Sequence, residues 1–124
     1  MEPLIIEATA ECPSINIDGD SGVFLISGKS YPENVNDFYK PLFDYMEIYK
    51  KTPKPKTILE FRWIYYNTAT SKIIIRLISS LKHLTATGTE VEIKWRCRKD
   101  DELMIEKGEE IKNVVGMNFT IECF

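Results

Sequence analysis

Three hydroxyl side chains follow one another where a predicted strand gives way to a predicted helix. The strand pattern ends at Tyr66, Asn67 is a typical helix-capping residue, and Thr68, Thr70 and Ser71 come next. The first turn of a helix presents unpaired N–H groups and a partial positive charge. A phosphate on a hydroxyl in that turn would accept hydrogen bonds from those groups and would add roughly 1.5 to 2 negative charges at neutral pH. The cluster therefore predicts either a regulatory phosphorylation site or an ordinary cap, and the local pattern alone favours the cap.

The rest of the sequence offers few side chains for catalysis. His83 is the only histidine, and it lies on a predicted helix without the partners that a general base or a metal site needs. Cys12, Cys97 and Cys123 form no C-x-x-C pair, so we predict free, buried or half-buried thiols rather than disulfides or a zinc site. Phosphate-binding glycine loops, zinc-protease motifs and nucleophile elbows are absent. We therefore expect a protein that catalyses no reaction and needs no metal or cofactor.

Length and composition predict one globular domain that spans residues 1–124. The chain has 124 residues, of which 44% are hydrophobic and 28% are charged, and division into two domains would leave neither half with a proper core. The longest aliphatic run, Ile73–Ile75, is far too short to cross a bilayer, so we expect no membrane insertion. The first residues lack a basic segment followed by a long apolar one, which predicts a cytoplasmic protein.

A basic stretch precedes the predicted central strand, but it does not indicate binding of nucleic acid. Four lysines lie in one proline-broken loop without aromatic residues between them: Lys50, Lys51, Lys54 and Lys56. The whole chain carries a net charge of -3, which is the wrong sign for binding a phosphate backbone. We interpret this stretch as a solvated loop.

Hydrophobic patterning predicts the elements that position the hydroxyl cluster. Apolar residues at alternate positions predict strands, and apolar residues three and four apart predict helices. In chain order the predicted elements are strands over Leu4–Ala8, Ser14–Asp18 and Gly22–Ser27, a helix over about 35–51, a strand over Thr57–Tyr66, a helix ending near Thr85, a strand over Val91–Trp95, a helix over about 101–115 and a strand over Asn118–Phe124. Turn residues at 18–22 join the second and third strands as a hairpin. This order predicts an α/β domain with a mixed sheet, an N-terminal hairpin and about three helices.

Three details of these elements lead to more specific expectations. Pro41 lies inside the first helical pattern and has no N–H to donate, which predicts either a kink or two short helices. The strand over Thr57–Tyr66 is so densely apolar that we expect a central strand with neither face in water. The acidic residues of the third helix indicate a solvent-exposed face that could also contact a basic partner: Glu102, Glu106, Glu109 and Glu110.

Two short stretches on either side of the central strand carry a family resemblance. They are Ser30–Asn34, which reads Ser-Tyr-Pro-Glu-Asn, and Tyr66–Lys72, which reads Tyr-Asn-Thr-Ala-Thr-Ser-Lys. Both resemble signature stretches of the SiaC family of bacterial regulatory phosphoproteins. The strand over Val91–Trp95 and the acidic helix start at Asp100–Glu102 fall where that family has them, so the resemblance covers nearly the whole chain. It implies a fold similar to the STAS domains of anti-sigma-factor antagonists, and a protein without catalysis of its own.

The resemblance also implies a phosphoacceptor and a set of partners. The family acceptor is the threonine directly after the asparagine, which is Thr68 here. Family members often have serine at the next position, where this chain has Ala69, so Thr70 and Ser71 are the weaker alternatives. The implied partners are a dedicated serine/threonine kinase, a PP2C-type metal-dependent phosphatase and a GGDEF-type diguanylate cyclase. The unphosphorylated protein would bind and activate the cyclase.

The predicted partner-binding surface combines the two signature stretches. Its residues are Tyr31, Pro32, Glu33, Asn34, Tyr66, Asn67 and Lys72. Lys72 could in addition help to pair the charge of a phosphate on the hydroxyl cluster. The alternative function is a small-ligand-binding or enzymatic α/β domain with an aromatic-lined pocket near Tyr31 and Tyr66, although core packing explains most of these aromatic residues.

Overall fold

The structure, a computed structural model that describes residues 1–124, contains six strands and three helices. Their bounds are β1 Leu4–Ile6, β2 Ser14–Asp18, β3 Val23–Ser30, α1 Val35–Tyr49, β4 Lys56–Tyr66, α2 Thr68–Thr85, β5 Glu90–Cys97, α3 Glu102–Val115 and β6 Asn118–Cys123. Each helix starts at a capping side chain, Asn34, Asn67 or Asp101, and α3 ends at Gly116 in the left-handed conformation. None of the helices is long and apolar enough to cross a membrane.

One mixed sheet holds all six strands in chain order, β1-β2-β3-β4-β5-β6. β1, β2 and β3 are antiparallel, and β3 to β6 are parallel to one another. The β2–β3 hairpin pairs Asp18 with Val23, and Gly22 in its turn has a φ of 76°, which a side chain would strain. The predicted α/β fold with a mixed sheet, an N-terminal hairpin and three helices is therefore confirmed.

The core lies between one face of the sheet and the three helices. Side chains at alternate strand positions join it, such as Phe61 and Trp63 of β4, and so do the apolar stripes of the helices, such as Leu42 of α1 and Ile78 of α2. The opposite face of the sheet is polar and partly exposed, with a row of ion pairs: Lys56–Glu92, Arg62–Glu60, Arg96–Glu60 and Arg96–Glu122.

The expectation that neither face of β4 meets water was wrong. Arg62 and Ile64 are exposed and Glu60 is half-buried on the face away from the helices. The strand has more apolar residues than one buried face needs, so some of them remain on the polar face. The alternation of Glu60 and Arg62 with apolar residues was the sequence signal for a strand with one solvent-exposed face.

Pro41 does not divide the first helix, so the alternative of two short helices was wrong. α1 runs from Val35 to Tyr49 with Pro41 inside it, on the exposed side. Buried residues before and after the proline hold both halves against one core: Tyr39, Leu42, Met46 and Tyr49. This burial outweighs the one hydrogen bond that the proline cannot donate.

A bulge in β4 orients the residues that lead into α2. Gly28 pairs with Trp63 and Lys29 pairs with Tyr65, so Ile64 is an extra residue in β4. The bulge reverses the alternation of the strand, and Tyr66 points to the helix-covered face and is buried. β4 therefore ends with its last tyrosine beneath the start of α2.

The three thiols are free, as expected, but they differ in burial. Cys97 is buried, Cys12 is half-buried and Cys123 is exposed. Cys123 is the last residue of β6, which is an edge strand of the sheet. For this residue the expectation of at least partial burial was wrong.

Candidate functional site

The start of α2 is held by the cap that the sequence indicated. The Asn67 side-chain oxygen accepts a hydrogen bond from the Thr70 backbone N–H at 2.9 Å, and its carbonyl accepts one from the Ser71 N–H at 3.1 Å. Thr68 is therefore the first residue of the helix, and no group of the chain accepts the N–H groups of Thr68 and Ala69. Two donors at the positive end of the helix remain available to a ligand or to water.

The three hydroxyls of the cluster have different environments. Thr68 is exposed, and its hydroxyl makes no hydrogen bond within the chain. Ser71 is half-buried and donates to the Thr68 carbonyl at 2.6 Å. Thr70 is 0% exposed, which removes it as an accessible phosphate acceptor, because a kinase must reach the hydroxyl oxygen. Thr70 lies two residues after Thr68 on the helix, and its side chain points to the core.

Thr70 belongs instead to a buried chain of hydroxyls that joins β3, α1 and α2. Tyr39 and Ser30 lie 2.7 Å apart, and Ser30 and Thr70 lie 2.9 Å apart, measured between hydroxyl oxygens. Thr70 donates its proton to the Ser30 carbonyl at 3.1 Å, so Ser30 must donate to Thr70, and Tyr39 must donate to Ser30. Burial raises the pKa of Tyr39, while the Ser30 hydrogen bond opposes this rise. Sequence reasoning missed this network because Ser30 and Thr70 lie 40 residues apart in the chain and meet only in the folded protein.

The two signature stretches lie side by side at the end of the sheet. The Asn67 N–H donates to the Ser30 carbonyl at 3.1 Å, and the rings of Tyr31 and Tyr65 meet edge to face with centroids 5.9 Å apart. Tyr31 is 37% exposed and Tyr65 is 47% exposed. Together with Ile64, which is 56% exposed, they form an aromatic edge, the name used below for Tyr31, Ile64 and Tyr65.

The other predicted surface residues have mixed positions. Pro32 is buried, whereas Glu33 and Asn34 are exposed. Asn34 caps α1, and its side-chain oxygen accepts a hydrogen bond from the Asp37 N–H at 3.2 Å. Lys72 is exposed one helical turn after Thr68.

A cleft of about 450 Å³ separates the start of α2 from α3. It is lined by Tyr65, Tyr66, Asn67, Thr68, Ser71, Ile75, Lys107, Glu110, Ile111 and Val114. The aromatic pocket that we expected near Tyr31 and Tyr66 therefore includes Tyr66, but Tyr31 is outside it. Sequence reasoning did not place any residue of α3 in this site, because the charged pattern of that helix indicated a solvent-exposed face or a contact with a basic partner. It also did not predict the contribution of Ile75.

Charge in this cleft comes from α3. The Lys107 ammonium lies 4.5 Å from the centroid of the Tyr66 ring and 6.0 Å from that of Tyr65. Burial raises the pKa of Tyr66 to about 12, and the nearby Glu110 carboxylate adds to this effect. No three His, Cys, Asp or Glu side chains in the protein are grouped so that they could hold a metal ion.

Comparison with known families gives this arrangement a context. A family model described as SiaC family regulatory phosphoprotein matches residues 6–123. The chain belongs to the SiaC family. The matched range contains Thr68, the cleft and both signature stretches, so the family prediction made from Ser30–Asn34 and Tyr66–Lys72 is confirmed.

Relatives from Pseudomonas aeruginosa match this SiaC-family protein over almost their whole length. An uncharacterized protein of strain UCBPP-PA14 is 26% identical over 123 residues, which are 99% of this chain and 98% of that protein. The crystal structure of apo-SiaC matches with a TM-score of 0.89 and 26% identity, over 99% of this chain and 100% of that one. A chain of the crystal structure of diguanylate cyclase SiaD in complex with its activator SiaC matches with a TM-score of 0.91 and 26% identity, over 98% of this chain and 99% of that one.

Proposed function

We propose that this protein is a non-catalytic signalling adaptor that is switched by reversible phosphorylation of Thr68. In its unphosphorylated form it binds and activates a diguanylate cyclase. The observation that carries the proposal is the exposure of Thr68 at the first position of α2, beside two unpaired N–H groups. Thr70 is buried and the Ser71 hydroxyl is engaged within the helix, so Thr68 is the accessible member of the cluster.

Family membership and the solved complex support the proposed partners. SiaC of Pseudomonas aeruginosa is the activator of diguanylate cyclase SiaD in the complex that this fold matches, which supports a cyclase as the effector. A phosphoprotein without a catalytic group of its own needs a serine/threonine kinase and a phosphatase, which we propose to be of the PP2C type. All of these reactions would take place in the cytoplasm.

The aromatic edge explains why one phosphate would be sufficient to release a partner. Tyr31, Ile64 and Tyr65 have exposed, uncharged side chains, and Tyr65 lines the same cleft as Thr68. A phosphate in such a contact adds roughly two negative charges that must lose their water. If no cation of the partner compensates, the cost is on the order of 3 kcal/mol or more, which weakens binding about a hundredfold or more.

Phosphorylation is tested with the purified protein and the dedicated serine/threonine kinase of the same organism. We expect mass spectrometry to find one phosphoryl group, on Thr68. Thr68→Ala should abolish it, whereas Ser79→Ala, an exposed hydroxyl on the same helix, should leave it unchanged. A phosphate on Ser71, or none on any residue, would contradict the assignment of Thr68.

The effect on the partner is tested by titrating the same preparations into the cognate diguanylate cyclase. Unmodified protein and Thr68→Ala should bind and stimulate cyclase activity, and protein phosphorylated on Thr68 should bind about a hundredfold more weakly or not at all. Phosphatase treatment should restore binding. Equal binding of the phosphorylated and unphosphorylated forms would refute the switch, even if Thr68 carries the phosphate.

A further inference from the structure

Lys107 is a cation without a carboxylate partner in the cleft beside Thr68. It takes part in none of the ion pairs of the protein, although Glu110 follows it by one helical turn. Its ammonium lies over the faces of Tyr66 and Tyr65 instead. The side chain is half-buried, so part of its surface remains accessible from the cleft.

Lys107 and Thr68 line the same cleft from different elements. Thr68 belongs to the start of α2, and Lys107 belongs to α3. The ring beneath the ammonium is Tyr66, two residues before Thr68, so the cation is held close to the chain segment that carries the hydroxyl. Lys72 is exposed on α2 and does not line the cleft, which makes Lys107 the cation that the cleft offers to an anion.

We infer that Lys107 binds the phosphate of phosphorylated Thr68, so that phosphorylation links α2 to α3 across the cleft. This inference rests on the proposed modification of Thr68. An ammonium and a phosphate form charge-assisted hydrogen bonds, which are stronger than the contact of the ammonium with an aromatic face. Glu110 lines the same cleft and opposes the phosphate, so the position of the Lys107 ammonium decides whether the anion is stabilised.

The link changes how the switch acts. Phosphorylation then fills the cleft and joins two helices, in addition to adding charge beside the aromatic edge. The side chain introduced by Thr68→Asp is shorter than phosphothreonine and carries a single negative charge. This variant should therefore reproduce the phosphorylated state only in part.

The test uses protein with phosphothreonine placed at position 68 by genetic encoding, and the second pKa of the phosphate is measured by phosphorus NMR. A nearby ammonium stabilises the dianion, so this pKa should be lower in the wild-type background than in Lys107→Met, by about one unit. Lys107→Arg should keep the low value because it keeps the charge. Lys112→Met, which removes an exposed lysine of the same helix outside the cleft, should also keep it.

An equal phosphate pKa in the wild-type, Lys107→Met and Lys112→Met backgrounds would overturn the inference. A large effect of Lys72→Met combined with no effect of Lys107→Met would assign the phosphate to α2 alone and would overturn it as well. Because the phosphate is installed without a kinase, these outcomes do not depend on whether Thr68 is the natural acceptor. If Thr68 is not the natural acceptor, only the kinase reaction described above would reveal it.

Discussion

Replacing Ser30 with alanine should destabilise the protein more than its small size suggests, because Ser30 is the middle member of the buried hydroxyl chain. In wild type, Tyr39 donates to Ser30 and Ser30 donates to Thr70. Without the serine oxygen, the buried Tyr39 hydroxyl loses its acceptor, which costs about 1 to 3 kcal/mol. Loss of the Ser30–Thr70 hydrogen bond adds about 1 kcal/mol, so we expect Ser30→Ala to lower the free energy of unfolding by roughly 2 to 4 kcal/mol.

Tyr39→Phe provides the decisive comparison. It removes the same hydrogen bond from the other side but leaves no donor unpaired, since Ser30 still donates to Thr70. Its cost should be about 0.5 to 1.5 kcal/mol. Ser27→Ala is the matched control on the same strand, because this half-buried serine faces away from the helices, and it should change stability by no more than about 0.5 kcal/mol.

Urea denaturation followed by tryptophan fluorescence measures these differences, because Trp63 and Trp95 are both in the core. In a thermal scan of a chain of this size, Ser30→Ala should lower Tm by roughly 10 °C. The proton order that we derived would be refuted if Tyr39→Phe cost as much as Ser30→Ala, or if Ser30→Ala behaved like Ser27→Ala.

Three further predictions concern the core, the thiols and the cap. Gly108→Ala should lower the free energy of unfolding, measured by urea denaturation, by about 1 to 3 kcal/mol. A Cβ at this position would lie 2.6 Å from the ring of Trp95, and a hydrogen bond to α3 holds that ring in place. Stability equal to that of wild type would contradict this prediction. Burial raises the pKa of Cys97 to about 11, so the folded state keeps a proton that the unfolded state releases above about pH 9. Stability should therefore fall as pH rises from about 9 to about 11, and Cys97→Ala should show a shallower decline in thermal scans; an identical decline would refute this cause. Asn67→Ala removes the acceptor of the Thr70 N–H and should lower the free energy of unfolding by about 1 kcal/mol, whereas the exposed Asn113→Ala should not.

Much of the fold could be predicted because its signals are local. The apolar spacing of α2 and the apolar alternation of β5 recur within a few residues. Each pattern therefore predicts both the type of element and the side of it that is buried. The β2–β3 turn and the cap at Asn67 are equally local. One error came where packing overrides a local rule, because Pro41 remains inside a helix that a shared core holds together. Another came from a local signal that was misread, because Glu60 and Arg62 alternate with buried residues of β4 and mark its exposed face.

The candidate site was predicted in part. The residues close to Thr68 along the chain were predicted, and those far from it along the chain were not. Thr68 at a helix start is visible in the sequence, as are the signature stretches around it. Lys107 is not, because it approaches Tyr66 only when α3 packs beside α2. Its sequence context, a helix rich in charged residues, is that of an ordinary solvent-exposed face.

The sequence by itself determined the order of the elements, the capped start of α2 and the family to which the chain belongs, since each depends on residues that are near one another along the chain. Only the tertiary structure decided which hydroxyl of the cluster faces water. Thr68 and Thr70 are two residues apart on a helix and point in different directions, and the direction in which α2 leaves the sheet selects the one that is buried. That direction is set by contacts such as Thr70 with Ser30, which are 40 residues apart in the chain and meet only in the folded core.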